Sequence, residues 1–374
     1  MHLVSIERKI KKVFFAVLAK IIKIPKYSVE DIKNSNISKI LVMRHDWIGD
    51  MVMTTPFFRE LRKAYPEAHI ALVCSNFNKG PIIHNPHINE IIVLDPGQKK
   101  RRRLNPMKLD IKKLVEIRNR KFDMSICFTS GSTSSTMISL LCGAKFKIGV
   151  ENVWGREYLN MFYNLLVPVK VFELHEVKRN ISFLQFIGIE PKDYSLEIFT
   201  NLREDKAAQV FLEKHGIEPN DVVIGIHNGA HKKGFAWPTD RFAFIADKLI
   251  SEYKAKVVLI CSPGDESFIQ KLIEMMTHKP IAIYYGTIAT EFSALFRRFP
   301  LFICNDSGIM HVAAASGCKV IALFGPSSVV QYGPSGNSCF TIAGKDGNVE
   351  NITTEEVLSK VDSILIRFDS IFYC

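Results

Sequence analysis

Short, continuously apolar runs recur along this chain, each followed by a loop and a helical pattern, and that alternation restricts the fold to the α/β class. "KILVMR" (39–44) leads into a helical pattern through Leu61, followed by "HIALVC" (69–74), "EIIVLD" (90–95), a helix near 108–120 and "DMSICF" (123–128). A second series begins with "DVVIGIH" (221–227), a helix at 239–253, "KVVLIC" (256–261) and a helix near 265–277. It continues with "IAIYYG" (281–286), a helix near 289–298, "LFICND" (301–306), a helix from 307 and "KVIALFG" (319–325). Strands covered by helices on both faces read as apolar throughout rather than alternating, so these are parallel strands. Two such series predict two doubly wound domains, and a length of 374 residues with 47% hydrophobic content supplies two cores. The expected division is a basic amphipathic extension at 1–36, a Rossmann-like domain at 37–200, a second at 215–350, and a helix at 351–374 that packs back on the first domain. The linker is expected around 195–220.

A formal net charge of +11 favours an anionic partner: nucleic acid, phospholipid headgroups, or a phosphorylated or carboxylated substrate. No interleaved aromatic and basic motif supports nucleic acid, so that class is set aside. The eight cysteines form no C-x-x-C pair and sit mostly in apolar runs. They read as small buried hydrophobes of a reducing cytosol, not disulfides or zinc ligands. No apolar run approaches the ~18 residues needed to span a bilayer. In the N-terminal segment, Ile6, Ile10, Val13, Phe14, Val17, Leu18, Ile21 and Ile22 form an apolar stripe beside Arg8, Lys9, Lys11, Lys12, Lys20 and Lys23. That pattern suits an interfacial helix on an anionic membrane, and equally a helix packed on the protein's own surface.

In doubly wound sheets ligands bind beyond the carboxyl ends of the strands. In "MRHDWIGDMVMTTPFFRELRKAYPEAHIALVC" (43–74), the strand ends at Arg44 and Gly49 turns the chain into a helix beginning near Asp50. A carboxylate there stays ionised, and it serves either as a helix cap or as a base. In "LFICNDSGIMHVAAASGCKVIALFGPSS" (301–328), Ser307-Gly308 opens a helix after Asn305-Asp306. Free N–H groups and a glycine at a helix start suit a diphosphate, with His311 one turn further on the same side. The "FGPSS" turn is placed to close the other side. The alternative is a well-capped helix that packs its alanines on the sheet. In "IHNGAHKKGFAWPTDRF" (226–242), Lys232 and Lys233 lie on a strand-end loop where they can neutralise phosphate. Glu266 in "CSPGDESF" can accept a ribose hydroxyl or stand in solvent. There is no G-x-G-x-x-G, P-loop, H-E-x-x-H or D-x-D, so phosphate binding rests on helix dipoles and basic side chains rather than a metal site. The run Lys99, Lys100, Arg101, Arg102 and Arg103 follows "EIIVLD" on the strand-end side. It is either a solvated loop or a grip for carboxylates and phosphates.

Together these motifs resemble glycosyltransferase family 9, the lipopolysaccharide heptosyltransferase family. The resemblance rests on "ILVMRHDWIGDMVMTTPFFRELRKAYP" and "NDSGIMHVAAASGCKVIALFGPSS", with "NPHINEIIVLD", "LLCGAKFKIGVEN" and "LHEVKRNISFLQFIGIE" between them. It implies a GT-B type α/β fold of two Rossmann-like doubly wound domains facing a central cleft, the first for the acceptor and the second for the donor. By resemblance Asp50 is the catalytic base, Asp306, Ser307, Gly308 and His311 bind the donor, and Glu266 contacts the ribose. The family often has a donor-phosphate lysine two residues before Trp-Pro; Phe235 stands there, leaving Lys232 and Lys233 to reach the phosphates. The implied partners are a nucleotide diphosphate sugar, ADP-heptose by family default, and an acidic glycolipid held by residues 99–103; no metal or other cofactor and no nucleic acid are expected. The implied place is the cytoplasm, at the inner face of the cytoplasmic membrane if the N-terminal helix is interfacial. The alternative from another class is a non-catalytic nucleotide- or anion-binding paralogue in surface-glycan assembly.

Overall fold

A computed structural model of the chain describes residues 13–15, 17–18, 21–94, 110–151, 156–168, 173–230, 234–336 and 338–372, with side chains as far as Leu365. It divides into two compact units. Unit 1 comprises Met1–Trp47, Thr54–Lys79 and Asn85–Tyr194; unit 2 comprises Ile48–Met53, Gly80–His84 and Ser195–Cys374.

Unit 1 is built on β1 (Lys39–Met43), β2 (His69–Cys74), β3 (Glu90–Val93), β4 (Met124–Cys127), β5 (Phe146–Val150) and β6 (Leu165–Val167). The strands are parallel and run in the order β3-β2-β1-β4-β5-β6, with Ile40 beside both Ile70 and Met124. The helices in this stretch of chain are α1 (Val29–Lys33), α2 (Ile48–Val52), α3 (Thr55–Ala64), α4 (Ile111–Asn119), α5 (Thr133–Leu141) and α6 (Glu176–Phe186), of which α2 belongs to unit 2. Pro56 at the start of α3 lacks an N–H that the helix would leave unpaired anyway, and Phe57, Phe58 and Leu61 bury its inner face. Leu41, Met43, Val73, Cys127 and Ile138 share one apolar cluster. The chain leaves β1 toward β2 and returns on its other side with β4, so the topological switch point lies between the ends of β1 and β4.

Unit 2 repeats the plan with β7 (Val223–His227), β8 (Lys256–Cys261), β9 (Ala282–Tyr285), β10 (Leu301–Asn305), β11 (Lys319–Phe324) and β12 (Cys339–Ala343). The order is β12-β11-β10-β7-β8-β9, and the switch point lies between β7 and β10. Its helices are α7 (Leu202–Lys214), α8 (Thr239–Ser251), α9 (Glu266–Met275), α10 (Ala289–Phe296), α11 (Gly308–Ala315), α12 (Val329–Tyr332) and α13 (Thr354–Phe372). Alternate strand residues feed two separate cores: Val258, Ile260, Phe302 and Cys304 in one, Val257, Leu259, Leu301 and Ile303 in the other. That is the period-two consequence of a sheet covered on both faces.

Several elements differ from the sequence reading. The stretch read as a linker, 195–220, holds α7, whose Ala208 and Leu212 are core residues of unit 2. Its start carries a capping box that the hydrophobic pattern overlooked: Glu204 N–H donates to Asn201 Oδ1 at 2.9 Å and Asn201 N–H to Glu204 Oε2 at 2.9 Å. The C-terminal helix α13 seats Val357, Val361 and Ile364 in the unit 2 core beside Trp237, Phe242 and Leu249. The edge strands β6 and β12 went unread, the first because it has three residues, the second because no residue of it is fully buried. At the N-terminus, Phe15 is buried against Leu159 and Phe162, while Val13, Phe14, Val17 and Ile21 are exposed. No helix of the described residues is long and apolar enough to cross a membrane.

Candidate functional site

The carboxyl ends of β7 and β10 meet in a turn-rich cluster of polar groups in unit 2. Asn305, the last residue of β10, ties the two ends together: its Nδ2 donates to Asn228 O at 3.0 Å, and its Oδ1 accepts from Trp237 N at 3.0 Å. The chain then passes Asp306 and Ser307 into α11. Ser307 occupies the N-cap position with extended backbone, yet its hydroxyl caps nothing. Its Oγ is buried and has no partner among the described residues. The first N–H groups of α11 thus stand at a strand end with a hydroxyl beside them, an arrangement suited to a diphosphate.

Glycines make this place accessible. A Cβ on Gly308 would lie 3.3 Å from Ile48 Cβ and 3.4 Å from Gly49 N, and one on Gly49 would lie 2.6 Å from His311 Cδ2. Two glycines facing each other therefore let α2 and α11 approach at backbone distance, within unit 2. Asp50 is half-buried on α2, one residue beyond Gly49, in the first turn of a helix that begins two residues earlier than the sequence suggested. His311, one turn into α11, is buried with its ring over Gly49.

The opposite wall is the turn after β11. Ser327 Oγ donates to Asp306 Oδ2 at 2.5 Å, so "FGPSS" does fold toward the start of α11, and Ser328 caps α12 by accepting from Gln331 N at 3.2 Å. A Cβ on Gly325 would lie 2.8 Å from the carbonyl oxygen of Gly234, which itself has φ +83°. Close packing of the turns requires glycine at Gly325, and the left-handed backbone favours it at Gly234.

Sequence reasoning missed a buried pair at the end of β7. His227 Nε2 lies 3.0 Å from Asp265 Oδ2, and both residues are almost wholly buried. Asp265 Oδ1, His227 Nδ1 and Asn228 Oδ1 have no partner among the described residues. Gly229 leaves this cluster room, since a Cβ there would be 2.7 Å from Asp265 Oδ1. Glu266, the residue singled out from the sequence, is exposed, and its Oε1 accepts from Gly264 N at 3.2 Å. The strand-end position belongs to its neighbour Asp265, and "HNG" after an apolar strand was the available signal.

Phe235 is half-buried at the position two before Trp237. Lys232 and Lys233 lie outside the described residues, as do Lys99, Lys100, Arg101, Arg102 and Arg103. Among the described residues no group of three or more His, Cys, Asp or Glu side chains is placed to hold a metal ion. The described cysteines are free thiols, all buried except the half-buried Cys339.

In unit 1 the chain leaving β1 forms a buried charged hub. Arg44 donates from Nε to Asp46 at 2.8 Å, from one terminal nitrogen to Asn180 Oδ1 at 2.8 Å, and from the other to Glu176 Oε1 at 2.9 Å. Arg179 holds the second Glu176 oxygen at 3.1 Å. Burial alone would raise the Glu176 pKa, but Arg44 and Arg179 outweigh it and hold the carboxyl below its usual value.

The family model described as glycosyltransferase family 9 (heptosyltransferase) matches residues 111–361. Lipopolysaccharide heptosyltransferase 3 of Escherichia coli (strain K12) is 26% identical over 295 residues, covering 76% of this chain and 82% of that protein. Among solved structures, the family 9 glycosyl transferase of Veillonella parvula is similar with a TM-score of 0.78 and 26% identity over 88% of this chain and 97% of that one. The ADP-heptose lipopolysaccharide heptosyltransferase II of E. coli has a TM-score of 0.72 at 22% identity, covering 88% and 99%. The paired doubly wound sheets are thus the GT-B type of α/β fold.

Proposed function

The chain belongs to glycosyltransferase family 9 and is a glycosyltransferase that draws on a nucleotide sugar, and on that premise we propose that it transfers a heptose from ADP-heptose to an acidic glycolipid of the lipopolysaccharide-core type. The observation that carries this reading is the approach of Gly49 to Gly308 and His311, which sets the helix of Asp50 beside the start of α11.

The transfer inverts the anomeric centre in one displacement. Asp50 takes the proton of the acceptor hydroxyl as that oxygen bonds to the anomeric carbon and the bond from that carbon to the diphosphate oxygen breaks. The leaving nucleoside diphosphate carries the electron pair, and the N–H groups at Ser307 and Gly308 stabilise its charge with Ser307 Oγ and a cation from Lys232 or Lys233. Asp306, held by Ser327, orients the start of α11, and His311 backs the Asp50 helix. The nucleoside ribose is bonded by a carboxylate of the Asp265-Glu266 pair; the buried, unpartnered Asp265 Oδ1 favours Asp265. Residues 99–103 hold acidic groups of the acceptor. The reaction takes place on the cytoplasmic side, where the exposed apolar residues of the N-terminal helix rest on the membrane surface.

The deciding experiment is Asp50→Asn, assayed with ADP-heptose and a heptose-free lipopolysaccharide core. Loss of a general base lowers the rate by ~10²–10⁴-fold, while the affinity for ADP, measured by calorimetry, stays the same. A variant that keeps more than about half the wild-type rate, far outside the range for a base, removes Asp50 from the chemistry.

A further inference from the structure

The switch point of unit 1, between β1 and β4, carries polar groups that the proposed reaction does not use. β4 runs into "TSGSTSST" (129–136), a turn and helix start made only of serine, threonine and glycine. The N-cap of α5, Ser132, makes no side-chain capping bond. From the end of β1, His45 is buried against this turn. Its Nε2 lies 2.7 Å from Ser135 Oγ and 3.4 Å from Thr129 Oγ1, and those two hydroxyls are 2.9 Å apart. His45 Nδ1 is buried and has no partner among the described residues. A buried polar atom left unmated costs about 1–3 kcal/mol, and this one stands at the switch point, where ligands of doubly wound sheets bind.

The chemistry of this position is uncharged. Burial, reinforced by the neighbouring Arg44 charge, lowers the His45 pKa to about 4, so the ring is neutral near pH 7. Arg44 itself is directed to Asp46, Asn180 and Glu176. A neutral imidazole whose Nε2 serves Ser135 offers Nδ1 as donor or acceptor according to its tautomer. A hydroxyl is the partner that satisfies either form. The pair is not an activated nucleophile, because an activating histidine is held at its other nitrogen by a third group, and Nδ1 has none.

We propose that His45 and Thr129, braced by Ser135, form a subsite at the switch point of unit 1 that binds hydroxyls of the uncharged sugar bearing the accepting oxygen. The assignment rests on the glycosyltransferase reading above and adds a division of labour. The accepting sugar is read by neutral hydrogen bonds, and the acidic groups of the acceptor are held elsewhere.

The test is calorimetry with a lipopolysaccharide core oligosaccharide that ends in a neutral sugar, in its native and enzymatically dephosphorylated forms, against wild type, His45→Leu and Thr129→Val. Loss of one neutral hydrogen bond raises Kd by about three- to tenfold, by the same factor for both forms, with ADP affinity as the check on folding. Thr129 is only half-buried, so its valine variant keeps the test open if His45→Leu does not fold. Unchanged Kd in a folded variant means that water completes His45 and overturns the subsite. So does weakening of the phosphorylated form alone, or a wild type that binds neither form. If wild type binds both forms and the variants bind them more weakly, yet no heptose is transferred from ADP-heptose, the proposed reaction falls and the subsite stands.

Discussion

The two units share one strand topology and treat its switch point in opposite ways. In unit 2 side chains are withheld: Gly229 and Gly49 stand where a Cβ would collide and Gly308 where one would be tight, and Ser307 Oγ, Asp265 Oδ1 and Asn228 Oδ1 are left buried without partners among the described residues. In unit 1 the chain supplies most of the partners itself and leaves His45 Nδ1 unmet among the described residues. Arg44 enters with its own counter-charges, Asp46 and Glu176, and His45 closes on Ser135. Omitted side chains make room at the strand ends of unit 2, whereas complementary ones make the end of β1 a charged hub with one neutral hydrogen bond left over. Substitutions at the end of β1 should therefore be read first in stability, and substitutions at the end of β10 first in ligand affinity.

The sharpest break of that contrast is Arg44→Met. It leaves Glu176, almost fully buried, without its main partner. Removing one member of a buried ion pair costs about 3–5 kcal/mol, so chemical denaturation should show a loss of that order, with ADP affinity of the folded fraction unchanged. A stable variant with weakened ADP binding would reverse the assignment of the two strand ends.

Acid should act on the same hub. The pKa of His45 in the folded chain, about 4, lies below the unfolded value of 6.5, so the unfolded chain takes up the proton first as pH falls. Stability is full above pH 6.5 and is lost between there and about pH 4, by roughly 3 kcal/mol for this group. The depressed carboxyl of Glu176 changes stability in the same direction, since its protonation removes the pairing with Arg44 and Arg179. Thermal melts at pH 7 and pH 5 should show the loss in wild type and a smaller one in His45→Gln. An equal slope in both removes His45 as its source.

What the sequence disclosed follows the same division. The placement of Asp306, Ser307 and Gly308 between the end of β10 and the start of α11 was legible, because an apolar strand followed by Asp-Ser-Gly and a run of small residues marks that junction. That Asp265 is buried while Glu266 is exposed could be read only from the fold, because burial at a helix start depends on the turn "SPGDE" and not on residue type. The hub of unit 1 was hidden for another reason. Arg44 and Glu176 are 132 residues apart, and no periodicity relates them. Most strands were readable from their continuous apolar runs, whereas β5 is interrupted by Lys147 and Gly149, and β6 and β12 are short or only half-buried, so these three give no such signal.

In unit 2 the matching test is Gly308→Val. Its Cβ would sit 3.3–3.4 Å from Ile48 and Gly49, tight but short of a forced collision, and a branched side chain there would crowd the start of α11. ADP affinity should fall tenfold or more, about 1.4 kcal/mol, with an unfolding midpoint near that of wild type. Intact ADP affinity in the folded variant would move the diphosphate away from α11.

The smallest effect is expected from the basic run, where charge acts through solvent. Arg101, Arg102 and Arg103 replaced together by Ser should raise the acceptor KM several-fold at low salt, since exposed charge pairs contribute about 0.2–1 kcal/mol each. The difference from wild type should shrink as salt is added, because the Debye length falls from about 10 Å at 0.1 M to 3 Å at 1 M. Donor KM should not move. This would separate the two proposed kinds of acceptor recognition: a salt-sensitive, phosphate-dependent share expected from the run, and a salt-insensitive one expected from His45 and Thr129. Kinetics of the triple variant and of Thr129→Val, each at low and high salt, measure both shares in one assay. If Thr129→Val also loses its effect at high salt, its role is electrostatic and the neutral subsite is wrong; if the triple variant raises donor and acceptor KM together, the run serves the donor phosphates instead.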